Sequence, residues 1–268
     1  MAGSGSFISF AEGRFGEGRI KFDLVADEPE WCAIAKPAGV IAVADPWYPG
    51  EADLVSALRR EVRDDKPQLL ALGMLSPMAV NRLDRDESGI VLLAKTEEAG
   101  AQLRNLSGSG GLKLTYQLLA EAPSGETALT CDLPLARHKQ ANRMLVSSQT
   151  GKKTVTHFRQ VEDFGRLQLW EAQTDYARMH QVRVHAAECG LGIVGESVYN
   201  AVPHIFLSQL KRGFRRSERP ERPIYAHLAL HLSRIDVCLA EDMTVRVEAP
   251  LPKGFEVLIR RIREFGGR

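Results

Sequence analysis

With 268 residues, 44% of them hydrophobic, and a net charge of +1, the chain can bury a large core and is expected to fold alone, as one domain or two packed lobes. No apolar run reaches the roughly 18 residues of a membrane span, and the opening MAGSGSFISFAEGRFGEGRI lacks the basic-then-apolar order of a secretory signal, so a cytoplasmic location is expected. The four cysteines, Cys32, Cys131, Cys189 and Cys238, have neither C-x-x-C nor zinc-site spacing and read as reduced and mostly buried.

In chain order, DLVSALRREV places Leu54, Leu58 and Val62 at helical spacing, and EEAGAQLRNL also reads as a helix. The patch SGSGG at 107–111 predicts a flexible turn. GIVLLAKT, KLTYQLLAEA, TVTHFRQV, RLQLWEAQT and SRIDVCLA read as strands, which makes the class α+β. RMHQVRVHAAECG suits a helix closed by Gly190, with Met179, Val182, Ala186 and Cys189 on one stripe and Arg183 off it. GFEVLIRRIREF repeats the helical pattern through Phe255, Leu258, Ile259, Ile262 and Phe265.

Two basic runs point to a polyanionic partner. Arg137–Arg159 carries six Lys or Arg and no acid, and Lys139, Arg143, Lys152 and Lys153 are its expected phosphate contacts. Lys211–Arg222 also carries six, diluted by Glu218 and Glu221.

The stretch NRLDRDESGIVLLAK sets Asp84, Asp86 and Glu87 just before an aliphatic run. Asp84 and Asp86 have the D-x-D spacing of some magnesium phosphotransfer sites, but no phosphate-cradling glycine loop precedes them. His180 and His185 leave a helix about 140° apart and do not suit a shared metal. A nucleophilic carboxylate is the other reading, and it needs a cation to keep it ionised in a partly desolvated cleft. Arg183 can serve, and Tyr116 can stack on a planar substrate, although Tyr116 taken alone reads as a core residue.

Together these pieces resemble the RluA family of pseudouridine synthases, in that family's order along nearly the whole chain. AKPAG at 35–39 resembles its first motif, and NRLDRDESGIVLLAK its second, H-R-L-D-x-x-T-S-G-(hydrophobic)-A-K. KLTYQLLAEA is similar to the K-x-Y strand, with Leu114 where Lys is expected and Lys113 one place early. ARMHQVRVHAAECGLGIVGESVYN at 177–200 resembles R-T-H-Q-I-R-V-H-x-x-x-x-G-x-P-I-x-G-D-x-x-Y.

The resemblance implies a pseudouridine synthase fold, a long mixed and mainly antiparallel sheet with a central catalytic cleft, in which residues 31–268 form the catalytic domain and 1–30 an N-terminal extension. It implies isomerisation of uridine to pseudouridine in structured RNA, a tRNA or rRNA stem-loop, by a monomer. The bond from N1 to C1′ breaks, the uracil turns, and C5 attaches to C1′; no cofactor or metal is implied.

Asp84 falls on the catalytic aspartate, acting as nucleophile or as the base that takes a sugar proton. The target uridine leaves its stack to reach it. Tyr116 would stack on the uracil, Arg183 would pair with Asp84, and Arg82 would fill the space that the flipped nucleotide leaves. Only about 30 residues precede AKPAG, too few for a separate RNA-binding domain to fold.

The chain departs from the family pattern at Asn81 (usually His), Glu87 (Thr), Met179 (Thr) and Gly192 (Pro). Glu87 would repel RNA phosphate or raise the pKa of Asp84. An inactive RNA-binding relative is therefore the alternative to the enzyme, with the magnesium phosphotransfer reading behind it.

Overall fold

The computed structural model describes residues 6–122, 125–214 and 218–265. The first half contains β1 (Phe7–Phe10), β2 (Ile20–Asp27), β3 (Trp31–Lys36), α1 (Leu54–Arg63), α2 (Pro67–Ala71), β4 (Met78–Ala79), β5 (Ser88–Ala94) and α3 (Glu97–Gly108). Then follow β6 (Leu112–Glu121), β7 (Ala128–Cys131), β8 (Leu135–Arg137), β9 (Met144–Val146), β10 (Thr156–Asp163), β11 (Leu167–Thr174), α4 (Gln181–Glu188) and β12 (Gly192–Ile193). The last elements are α5 (Leu207–Leu210), β13 (Leu230–Ala240), β14 (Met243–Glu248) and α6 (Lys253–Phe265). The class is α+β, and all five predicted strands and four predicted helices are present.

The chain divides into two units. The first comprises 1–114, 175–179 and 232–249, and the second 115–174, 180–231 and 250–268. The first unit's strands run β1-β2-β3-β5-β13, with β4 beside β5 and β14 beside β13. The pairings β1 to β2, β2 to β3, β3 to β5 and β13 to β14 are antiparallel.

β5 is buried at every position, which is why SGIVLLA reads as an unbroken aliphatic run and not as an alternation. β1 and β2 carry Phe10 and Phe22, which meet Phe15 edge to face at centroid distances of 5.2 to 5.7 Å and close that end of the core. α1 starts at Asp53, whose carboxylate accepts the Ser56 N–H at 2.9 Å. It buries Leu54, Val55, Ala57 and Leu58.

The predicted turn at 107–111 begins later than expected. The Thr96 cap and the buried Leu103 carry α3 through Ser107 and Gly108, and the chain turns only at Ser109, with Gly110 at φ 82°.

In the second unit β6, β11, β10 and β7 are neighbours in that order, and β12 adds to β6. β8 and β9 form a separate two-stranded hairpin. α6 turns Phe255, Leu258, Ile259 and Ile262 onto Leu119, Leu167, Val194 and Tyr225, where each large side chain contributes about 1.5–3 kcal/mol of burial.

α4 differs from its expected form. It begins at Gln181, one residue after His180, which sits at φ 53° in the left-handed region, so Met179 lies outside the helix. Gln181, Val182, Arg183, Val184, His185 and Ala186 are all buried. The expected amphipathic stripe is therefore absent, because the polar side chains find buried partners instead of solvent.

Candidate active site

Asp84 lies on the turn that leads into β5, and its side chain is half-buried. The turn closes in both directions: the Glu87 N–H donates to the Asp84 carbonyl at 3.2 Å, and the Glu87 carboxylate accepts the Asp84 N–H at 3.1 Å. Glu87 is only 5% exposed. It faces the turn's own backbone, where its carboxylate is engaged by the Asp84 N–H.

β3 brings Lys36 to the same turn, because its antiparallel register pairs Lys36 with Gly89. The fully buried ammonium donates to the carbonyls of Glu87 at 2.6 Å and Val40 at 2.8 Å, and to those of Pro37, Asp84 and Arg85 at 3.1 to 3.4 Å. Burial pulls the Lys36 pKa down to about 8, against the pull of Glu87, Asp84 and Asp86, which favour the charged form. Sequence reading placed Lys36 in a motif without giving it a task.

Asn81, at the departure from the usual His, is buried. Its amide donates to the Ile90 carbonyl at 2.9 Å and accepts the Leu92 N–H at 2.8 Å, which pins the segment before Asp84 to β5. Arg82 is exposed and lies 3.9 Å from the Asp45 carboxylate.

Gly89 has φ 131°, and a Cβ there would come within 2.4 to 2.7 Å of Leu232 in β13. Gly89→Ala is accordingly expected to cost at least about 2 kcal/mol from backbone strain and overpacking together. A urea titration of both proteins measures this through the unfolding midpoint.

Tyr116 and Arg183 belong to the second unit. Tyr116 stands on β6 and is 2% exposed. Arg183 projects from α4 into a two-pronged pair with Glu196, Nε to Oε2 at 2.7 Å and Nη2 to Oε1 at 2.8 Å, and its guanidinium carbon lies 5.6 Å from the Tyr199 ring centre. Glu196 also caps the N–H groups of Ser197 and Val198. Burial pushes its carboxyl up, but Arg183 and the two amides outweigh burial and hold it below the usual carboxylate range.

The other buried polar residues of α4 are also paired. Gln181 donates to Val155, Thr156 and Thr174, and His185 lies between the Thr156 hydroxyl and the Leu133 carbonyl. His180 meets the Tyr199 hydroxyl at 2.7 Å, and that hydroxyl accepts the Met144 N–H at 2.8 Å. Sequence reading missed Glu196 and Tyr199 as partners, although both stand in the quoted GESVYN.

Lys139, Arg143, Lys152 and Lys153 are all exposed, on the β8–β9 hairpin and the segment that follows it. Of the second basic run, Lys211, Arg212, Arg219 and Arg222 are exposed, and Arg215 and Arg216 lie outside the described residues. Among the described residues, no group of three or more His, Cys, Asp or Glu is placed to share a metal ion, and no helix is long and apolar enough to cross a membrane.

The profile described as RNA pseudouridylate synthase matches residues 30–188. The chain belongs to that family. As a member of the RNA pseudouridylate synthase family it is 30% identical over 229 residues to an uncharacterized RNA pseudouridine synthase of Chloroflexus aurantiacus, covering 85% of this chain and 66% of the relative.

It is also 27% identical over 252 residues to the ribosomal large subunit pseudouridine synthase D of Xylella fastidiosa, covering 91% of this chain and 70% of the relative. Thus the chain spans about two thirds of the length of these relatives. The solved structure of human RNA pseudouridylate synthase domain containing 4 shares the fold, with a TM-score of 0.68 at 17% identity over 90% of this chain and 92% of that one. Asp84, Tyr116 and Arg183 fall within the family match, and Glu196 lies beyond it.

Proposed function

We propose that this RNA pseudouridylate synthase family member converts uridine to pseudouridine in a structured RNA, with Asp84 as the catalytic carboxylate. The supporting observation is the Asp84 turn, whose backbone is gripped from one side by the Glu87 carboxylate and from the other by the Lys36 ammonium. Chemistry at a fixed C1′ needs a carboxylate on a rigid support, since a misplacement of about 1 Å costs on the order of a hundredfold in rate.

In this reading Tyr116 stacks on the flipped uracil and Arg183 supplies a cation to the reaction. Arg82 occupies the space that the nucleotide vacates. The relatives named for the large ribosomal subunit favour rRNA over tRNA as the substrate, and the site works as a monomer in the cytoplasm. The reaction is an internal rearrangement, so the residues need supply only binding, orientation and proton movement.

Mapping pseudouridine in total RNA from cells with and without the gene tests the reading. It fails if no position differs, provided the purified protein also leaves rRNA transcripts unmodified. A magnesium-dependent phosphotransfer site predicts activity that disappears in EDTA and returns with Mg²⁺, whereas the synthase is expected to tolerate chelation once its RNA is folded.

Lys139, Arg143, Lys152 and Lys153 are proposed to contact phosphate. Neutralising all four is expected to weaken RNA binding and to flatten its dependence on salt, because up to four fewer counterions are released. Turnover at saturating RNA changes little. Filter binding at several salt concentrations measures the slope, and an unchanged slope moves the RNA path to the run that includes Lys211 and Arg222.

A further inference from the structure

We infer that Glu87, where the family pattern has Thr, is a positioning residue for Asp84: its buried carboxylate fastens the Asp84 amide and balances the charge of the Lys36 ammonium that grips the carbonyls of the same turn. The inference rests on Asp84 being the catalytic carboxylate.

Several observations converge on Glu87. Its carboxylate accepts the Asp84 N–H and its own N–H reaches the Asp84 carbonyl, so one residue holds both polar groups of the Asp84 backbone. Its own carbonyl is the nearest acceptor of the Lys36 ammonium, at 2.6 Å. Both charged residues are buried. An ammonium has only three N–H donors for five surrounding carbonyls, so what binds it there is charge as much as any single hydrogen bond.

A buried lysine without nearby negative charge loses its proton readily. The titratable groups facing Lys36 are Glu87, Asp84 and Asp86, all on this turn, and Glu87 exerts the largest pull of the three. A glutamine amide at position 87 keeps an acceptor for the Asp84 N–H and lacks the charge. Acceptor and charge are therefore separable by substitution.

The test compares wild type with Glu87→Gln and Glu87→Thr in the full-length protein, using two readouts. The first is kcat and KM for pseudouridine formation across pH. Glu87→Gln keeps an acceptor and loses the charge, and Glu87→Thr loses the charge and shortens the side chain; both are expected to keep KM, to lose kcat by about a hundredfold near pH 8, and to regain much of it at lower pH as Lys36 is reprotonated.

The second readout is the Lys36 ammonium titration followed by nitrogen-15 NMR, which needs no activity. Its midpoint is expected to fall by about 1 to 3 pH units in both variants. A Lys36 midpoint unmoved by either substitution overturns the role of Glu87, as does a Gln variant with wild-type kcat at every pH. Absence of product from wild type alone, with the Lys36 midpoint still shifted in the variants, sinks the reading of Asp84 and leaves the coupling of Glu87 to Lys36 standing.

Discussion

Asp84→Asn is expected to reduce pseudouridine formation by at least about 10²–10⁴-fold, the range for losing a positioned acid or base, and by more if the carboxylate is the nucleophile. The amide has nearly the shape of the carboxylate. The turn that carries it is held through the backbone, by the Glu87 carboxylate on the N–H and by Lys36 and the Glu87 N–H on the carbonyl. Folding should therefore survive, and so should RNA binding, which is assigned to exposed cations elsewhere. Single-turnover kinetics with excess enzyme, beside a binding titration of the same protein, separate chemistry from affinity. Turnover near wild type would remove Asp84 from the mechanism, while loss of binding in parallel with rate would mean that the carboxylate organises the site and does no chemistry.

Arg183→Ala is expected to cost about 3–5 kcal/mol of stability by leaving the Glu196 carboxylate buried without its cation. In a chain of this size that lowers Tm by roughly 6 to 20 °C, which calorimetry resolves. The pair also makes stability depend on pH. The folded-state pKa of Glu196 lies below its ordinary 4.5, so the contribution is fully present above the unfolded value and is lost as pH falls through the folded one. Replacing both partners by apolar residues of similar volume, Arg183→Met with Glu196→Leu, should restore much of the stability, because no charge is left stranded. Activity should stay low in that double variant if the guanidinium also serves the reaction. A full return of activity would confine Arg183 to a structural role.

β5 was legible as an unbroken aliphatic run, and helices such as α1 and α6 through hydrophobic periodicity, because both signals report burial directly. The candidate residues Asp84, Arg183 and Tyr116 were legible only through motifs. Periodicity fails at α4, where counting apolar residues set Arg183 outside the core although it is buried. The pattern sees hydrophobic side chains and not polar ones that find partners, and Glu196 lies 13 residues further along the chain. Lys36 was opaque for a similar reason. Three of its acceptors belong to residues 48, 49 and 51 positions away, and the contacts are to carbonyls, which every residue possesses. β1 and β2 were not recognised in the glycine-rich opening, where Phe10, Phe15 and Phe22 are too widely spaced to register as a strand pattern.

The polar lining of α4 gives this helix a property that an oil-like packing surface lacks. A helix that rests on aliphatic side chains can absorb a substitution by rotating a few degrees or sliding a fraction of a turn, trading one contact for another. Gln181, Arg183 and His185 each fit a partner of matching shape and hydrogen-bonding sense, so they work like the cuts of a key, and a small rotation would disengage all of them at once. The helix thus has one permitted phase. Randomising its positions should recover many replacements at Val182 and Val184 and very few at the three polar ones, an inversion of the usual rule that a core tolerates exchange least where it is most greasy.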